Sequence, residues 1–314
     1  MKEEAVLFGE RESLVGVLTD PANDHEEART VGVILLNPGV LHRVGPGRIY
    51  VKIARELAAI GFTVFRFDFS GIGDSKVRHD NLPFDKSSLS EARCAMDLLG
   101  MKRGIDRFLF IGGCSGARVS FAAACCDPRV VGGILINFPA DADDDGSLNL
   151  DLSRRKDEHY YWNFAIRAPL SWRKLFTGKS EYRKIIQALI FRVKRRFGPK
   201  REPSPDWLLL RERLELVVRQ GVRPVFVCSQ GDPRLGDLRE AGGSKLRELC
   251  SQGKTELIII PRSDHTFSSL IDQERLIKIV CEKAGEILRK SGRNRRALSA
   301  TNPQPSVESH SPRS

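Results

Sequence analysis

Arg107-Phe108-Leu109-Phe110-Ile111-Gly112-Gly113-Cys114-Ser115-Gly116-Ala117-Arg118 is the stretch that decides the fold. The run Phe108 to Ile111 is apolar, small residues take over at Gly112, and an alanine-rich helical pattern follows. Strand, tight turn and helix in direct succession set one side chain at an apex. Small residues two before and two after that apex let the helix and the strand approach closely. Here the apex side chain is the thiol of Cys114, framed by Gly112 and Gly116. A second register, Gly113-Ser115-Ala117, is formally allowed. It extends the strand through Gly112 and puts bulky Arg118 where the close contact is expected. A plain glycine-rich turn holding a buried cysteine is the competing reading, since free cysteines are among the most buried residue types.

Partners for a nucleophile lie downstream in the right order. Val222 to Pro233 reads as a buried strand ending in a loop that opens with Asp232, and Glu256 to Phe267 repeats the pattern, ending at His265. Nucleophile, acid and histidine, each just past the carboxyl end of a strand, come together at one edge of a parallel sheet. Each has a task. His265 takes the thiol proton and later activates the acceptor that resolves an acyl-enzyme. Asp232 holds the imidazole in its productive tautomer. The backbone N–H of Ser115 faces the developing oxyanion at the start of a helix. A second donor is expected from the loop Asn37-Pro38-Gly39-Val40, at the amide of Val40. Asp232 before Pro233 is also an ordinary turn opener, His265 alone could be a surface histidine, and Asp264 is the second choice for the acid.

The N-terminal third points to the same architecture. Ala5 to Leu18 reads as a strand pair, Val31 to Leu36 as a buried strand and Tyr50 to Ile60 as a helix ending at Gly61. Thr63 to Asp68 is another strand, and Ser87 to Leu99 the helix before the decisive strand. Alternating strands and helices predict an α/β fold with a mostly parallel central sheet covered by helices on both faces. Phe69 to Ser75 is glycine-rich but lacks the third glycine and the lysine of phosphate-binding loops.

Leu35-Leu36-Asn37-Pro38-Gly39, Phe65 to Ser75, Gly112 to Ala117, Gly231-Asp232 and Asp264-His265-Thr266-Phe267 together resemble the α/β-hydrolase superfamily. The motifs look similar to those of cysteine-elbow members of its serine aminopeptidase-like branch, including the exosortase-associated hydrolases. The resemblance runs from Val31 to about Arg289 and implies the α/β-hydrolase fold, an inserted helical lid and a Cys114-His265-Asp232 triad. The chain departs from the family's pattern in two places. Pro38-Gly39 stands where His-Gly is common, and cysteine replaces serine at the elbow.

A thiol nucleophile favours activated acyl donors. A thiolate is itself a good leaving group, so an adduct with an amide tends to collapse backwards, whereas esters and thioesters expel their own leaving group. Ester or thioester hydrolysis is therefore expected, with acyl transfer to an alcohol or amine as the variant if water is excluded. The expected substrate is a small-molecule or carrier-bound acyl donor, anionic donors included, with no cofactor and no metal.

Residues 140 to 219 read as the insertion. They hold the aromatics Tyr160, Tyr161, Trp162, Phe164, Trp172 and Phe176 and a basic run from Arg192 to Phe197. An amphipathic helix over Tyr182 to Phe197 is expected. With 51 Lys and Arg against 40 Asp and Glu, the chain carries +11 and should attract anionic partners. No nucleic-acid module accompanies that charge. A catalytically quiet protein binding an anionic partner through the basic insertion is the alternative from another class. Seven cysteines without metal-ligand spacing fit reduced thiols in a cytoplasmic protein. No segment has the apolar length of a membrane span and the charged N-terminus lacks a signal-peptide core. The catalytic domain is expected over 1–290, with a disordered polar tail over 291–314.

Overall fold

The computed structural model describes residues 1–22, 31–140 and 205–301. Eight strands form one sheet in the order β1-β2-β4-β3-β5-β6-β7-β8. They are β1 (Lys2–Phe8), β2 (Leu14–Asp20), β3 (Gly32–Leu36), β4 (Thr63–Phe67), β5 (Phe108–Gly113), β6 (Val130–Ile136), β7 (Arg223–Ser229) and β8 (Glu256–Ile260). The β1–β2 hairpin is antiparallel and β2 joins β4 antiparallel; every pairing from β4 through β8 is parallel. Parallel neighbours need crossovers, and helices supply them. These are α1 (Ile49–Ala59), α2 (Phe84–Arg103), α3 (Ser115–Cys126), α4 (Pro205–Arg219), α5 (Arg234–Ser251) and α6 (Leu270–Thr301).

Side-chain alternation along the strands sorts the core into two layers. Ile34, Leu36, Phe108, Phe110, Phe226 and Cys228 face one way, packing with Met96 of α2, Phe121 of α3, Leu214 of α4 and Leu238 of α5. Val33, Leu35, Leu109, Ile111, Val225 and Val227 face the other, against Ile53 of α1 and Val280 of α6. Because both faces are covered, the central strands are continuously apolar rather than alternating. This is the α/β-hydrolase fold that the sequence predicts.

Two boundaries differ from the sequence reading. Residues 205–219, the last part of the stretch read as the insertion, form α4, whose Trp207, Leu210, Leu214 and Val217 are buried in the main core. Their burial makes this segment a layer of the sandwich. The helix α6 continues to Thr301 rather than ending near residue 290; residues 291–301 hold no Pro to stop it, and the single Gly292 does not end it. The aromatic cluster, the basic run and the helix expected over Tyr182 to Phe197 lie outside the described residues, as does the tail after Thr301. Among the described residues no helix is long and apolar enough to cross a membrane.

Candidate active site

Parallel strands deliver their carboxyl ends, and the loops that follow them, to one edge of the sheet. At the end of β5 the chain turns at Cys114, whose φ of 52° and ψ of −120° lie in a region that side-chain-bearing residues rarely adopt. The flanking glycines explain how the bend is tolerated. A Cβ on Gly112 would stand 2.3 Å from the carbonyl carbon and oxygen of Gly116, and one on Gly116 would stand 2.4 Å from the carbonyl oxygen of Leu36. Neither position accepts a side chain, so the small residues frame Cys114, and the bend falls there rather than at Ser115. Ser115 is the first residue of α3, and its hydroxyl accepts the Gly39 N–H at 2.7 Å. That bond ties the β3–α1 loop to the elbow. Val40 follows Gly39 in the same turn and is 88% exposed.

His265 and Asp232 arrive from β8 and β7. The Nδ1 of His265 is 2.9 Å from Oδ2 of Asp232, a carboxylate whose side chain is 1% exposed. Its other oxygen, Oδ1, accepts the Arg234 N–H at 2.9 Å, so one carboxylate both orients the imidazole and caps the start of α5. Burial presses the imidazole towards its neutral form. Hydrogen bonds to Asp232 and Cys114, with the charge of Asp232, outweigh it and raise His265 to about 9. The histidine loop is built rigidly. Asp264 accepts from Thr266 N at 2.8 Å, Thr266 Oγ1 at 2.9 Å and Ser268 N at 3.2 Å, so its carboxylate is spent on the loop and Asp232 is the histidine's partner. Gly231 lies flat on that loop, where a Cβ would meet the Ser263 carbonyl oxygen at 2.5 Å.

Several residues that build the site escape sequence inspection. Tyr50 on α1 donates its hydroxyl to the Leu36 carbonyl at 2.9 Å and accepts the Gly113 N–H at 2.8 Å, pinning the residue before Cys114 to the end of β3. Burial holds this phenol far above its ordinary pKa, so it stays protonated. Asn137, after β6, donates to the His265 carbonyl at 2.8 Å and accepts the Ser229 N–H at 2.8 Å, linking the ends of three strands. The glycine-rich Phe69–Ser75 turn serves Asp68, a fully buried carboxylate that pairs with Arg43 and accepts the Asp74 N–H at 3.2 Å. A Cβ on Gly73 would stand 2.3 Å from that carboxylate, which is why glycine is needed there. Arg234 is the nearest of these to the chemistry. Its Nη1 lies 3.3 Å from Cys114 Sγ and 3.5 Å from His265 Nε2. The only signal for it in the sequence is its place two residues after the acid.

None of the seven cysteines forms a disulfide. Among the described residues no group of three or more His, Cys, Asp or Glu side chains is placed to hold a metal ion. The site thus brings together sulfur, imidazole, carboxylate and guanidinium, with two loop segments clasped beside them.

No protein-family model matches the chain, and no curated protein matches it. Solved structures do. An esterase from Pyrococcus furiosus superposes with a TM-score of 0.55 at 14% identity, covering 91% of each chain. A proline iminopeptidase from Mycobacterium smegmatis gives 0.52 at 18% identity, covering 92% of this chain and 100% of its own. An α/β serine hydrolase homologue from Coxiella burnetii gives 0.52 at 14% identity, over 90% and 98% respectively. At these identities the likeness is one of fold, and it agrees with the strand order described above.

Proposed function

We propose that the protein is a hydrolase of esters or thioesters that works through a Cys114-His265-Asp232 triad and a covalent acyl-enzyme. The observation that carries this reading is the cysteine held at positive φ between two glycines, in contact with an imidazole that a buried carboxylate orients. A side chain is rarely kept in such a backbone conformation, at a cost of about 1–3 kcal/mol, unless the apex position serves a purpose. The names of the similar structures, an esterase and a serine hydrolase homologue, support acyl chemistry. In this chain sulfur takes the place at the bend. Ser115 stands one residue on with its hydroxyl accepting the Gly39 N–H.

The cycle follows from the groups present. The Cys114 thiolate adds to the acyl carbon; the new carbon–sulfur bond forms as the bond to the alcohol or thiol breaks, and protonated His265 gives its proton to that leaving group. Neutral His265 then takes a proton from water, hydroxide adds to the acyl carbon, and Cys114 departs as thiolate with release of the acid. The Ser115 and Val40 amides are assigned to the oxyanion. The substrate is a small-molecule or carrier-bound acyl donor. The test is an acyl panel of p-nitrophenyl esters and acyl thioesters, with turnover and intact mass read on Cys114→Ala, Cys114→Ser and Ser115→Ala. An acyl adduct on the wild type that Cys114→Ala abolishes and Ser115→Ala keeps is the expected result. The reverse pattern makes Ser115 the nucleophile, and no adduct with any donor favours a binding protein.

A further inference from the structure

The Cys114 sulfur has a neighbour that a cysteine-histidine-aspartate triad does not require. We propose that Arg234 is a catalytic residue of this site, a fixed cation that keeps Cys114 ionised whether or not His265 carries a proton. The inference rests on the reading of Cys114 as nucleophile given above. The guanidinium Nη1 lies 3.3 Å from Sγ, within the range at which an opposite charge favours the ionised form by about 1–3 pH units. Arginine stays protonated throughout the working range. The same nitrogen is 3.5 Å from His265 Nε2, so the cation lies within reach of both atoms that exchange the proton. The backbone that carries it is held at the start of α5, where the Arg234 main-chain N–H is bonded to Asp232 Oδ1.

The surrounding charges agree. The β7–α5 turn brings Asp232 and Arg234 to the sulfur, and the β8–α6 loop brings His265. From α1 comes Tyr50, whose phenol remains neutral. α3 contributes its N-terminus and Arg118, whose N–H reaches the Cys114 carbonyl at 3.3 Å. On the β3–α1 loop Arg43 is held by Asp68 and Asp74. Thiolate, carboxylate, imidazolium and the Arg234 guanidinium sum to zero, whereas the triad alone carries one uncompensated negative charge. Arg234 serves both halves of the cycle. It stabilises the attacking thiolate while His265 is protonated for the leaving group, and it stabilises the departing thiolate after His265 has taken the proton of water.

Alkylation by iodoacetamide reads the ionised fraction of a thiol directly, because the thiolate is the nucleophile. Trypsin releases residues Phe108 to Arg118 as one peptide whose sole cysteine is Cys114, so its carbamidomethylation is followed by mass spectrometry on the full chain. In the wild type the midpoint of rate against pH should fall below the ordinary thiol value of about 8.5. Arg234→Gln should raise it by about one unit or more, slowing reaction at low pH about tenfold, and Arg234→Lys should recover most of the rate. His265→Gln should keep a depressed midpoint, because the guanidinium remains. A profile for Arg234→Gln that superimposes on the wild type overturns the proposal, as does a His265→Gln midpoint back at the ordinary value. If Arg234→Gln does not fold, the wild-type and His265→Gln profiles decide it. Failure of the functional reading looks different, as an acyl adduct that survives Cys114→Ala.

Discussion

Replacing Tyr50 by Phe removes one oxygen and tests whether the elbow is held from α1. That oxygen accepts the Gly113 N–H at 2.8 Å and donates to the Leu36 carbonyl at 2.9 Å, and Tyr50 is 2% exposed. Its loss strands a donor and an acceptor in the interior, and each buried unpaired group costs about 1–3 kcal/mol. The two together destabilise by about 2–6 kcal/mol. At about 2–4 °C per kcal/mol for a domain of this size, Tm should drop by about 5 °C or more. Activity should suffer separately. Gly113 directly precedes Cys114, and a displacement of about 1 Å in a reacting group costs about a hundredfold in rate, so a partial loosening should lower kcat about tenfold. Thermal melts followed by circular dichroism and initial rates on a p-nitrophenyl ester measure both effects. A variant that melts with the wild type and turns over at the same rate refutes the reasoning, since the hydroxyl would then not clamp the bend.

Two further perturbations follow from the same geometry. Gly116→Ala drives a methyl to 2.4 Å from the Leu36 carbonyl oxygen, so α3 must move off β3; about 1–3 kcal/mol of stability and most of the activity should go. Gly133→Ala is the control, because its methyl meets Leu135 at an ordinary 3.5 Å, and a melt more than slightly changed there refutes the contact argument. The His265–Asp232 pair makes stability pH-dependent. With His265 raised from 6.5 to about 9, its stabilisation is complete below pH 6.5 and is lost as pH rises through about 9. For a side chain 39% exposed the loss amounts to about 1 kcal/mol after solvent screening, measurable by urea unfolding. Asp232→Asn should lack this fall; an unchanged pH dependence in that variant contradicts the pairing.

The legible parts of this chain are those in which local chemistry and tertiary need coincide. Apolar runs such as Phe108 to Ile111 and Val225 to Cys228 announce buried parallel strands, because both their faces must be covered. Gly112 and Gly116 mark the elbow because no side chain fits where helix and strand meet. Asp232 and His265 were locatable because the parallel part of the sheet, from β4 through β8, sends the carboxyl ends of its strands to the same edge. The helix over residues 205–219 was harder to place. Its apolar stripe is the same whether it packs on the sheet or over a site, and only the burial of Leu214 and Val217 decides between them.

The sequence by itself determined the layered architecture, the order of the reacting groups and the small residues that allow a bend at Cys114, since these rest on periodicity, chain order and side-chain size. What surrounds the sulfur was decided only by tertiary structure. Tyr50 lies 63 positions from Gly113 along the chain, and Arg234 lies 120 from Cys114. Contacts of that kind leave no local pattern, because hydrogen bonds and charges act through distance in space and not along the backbone.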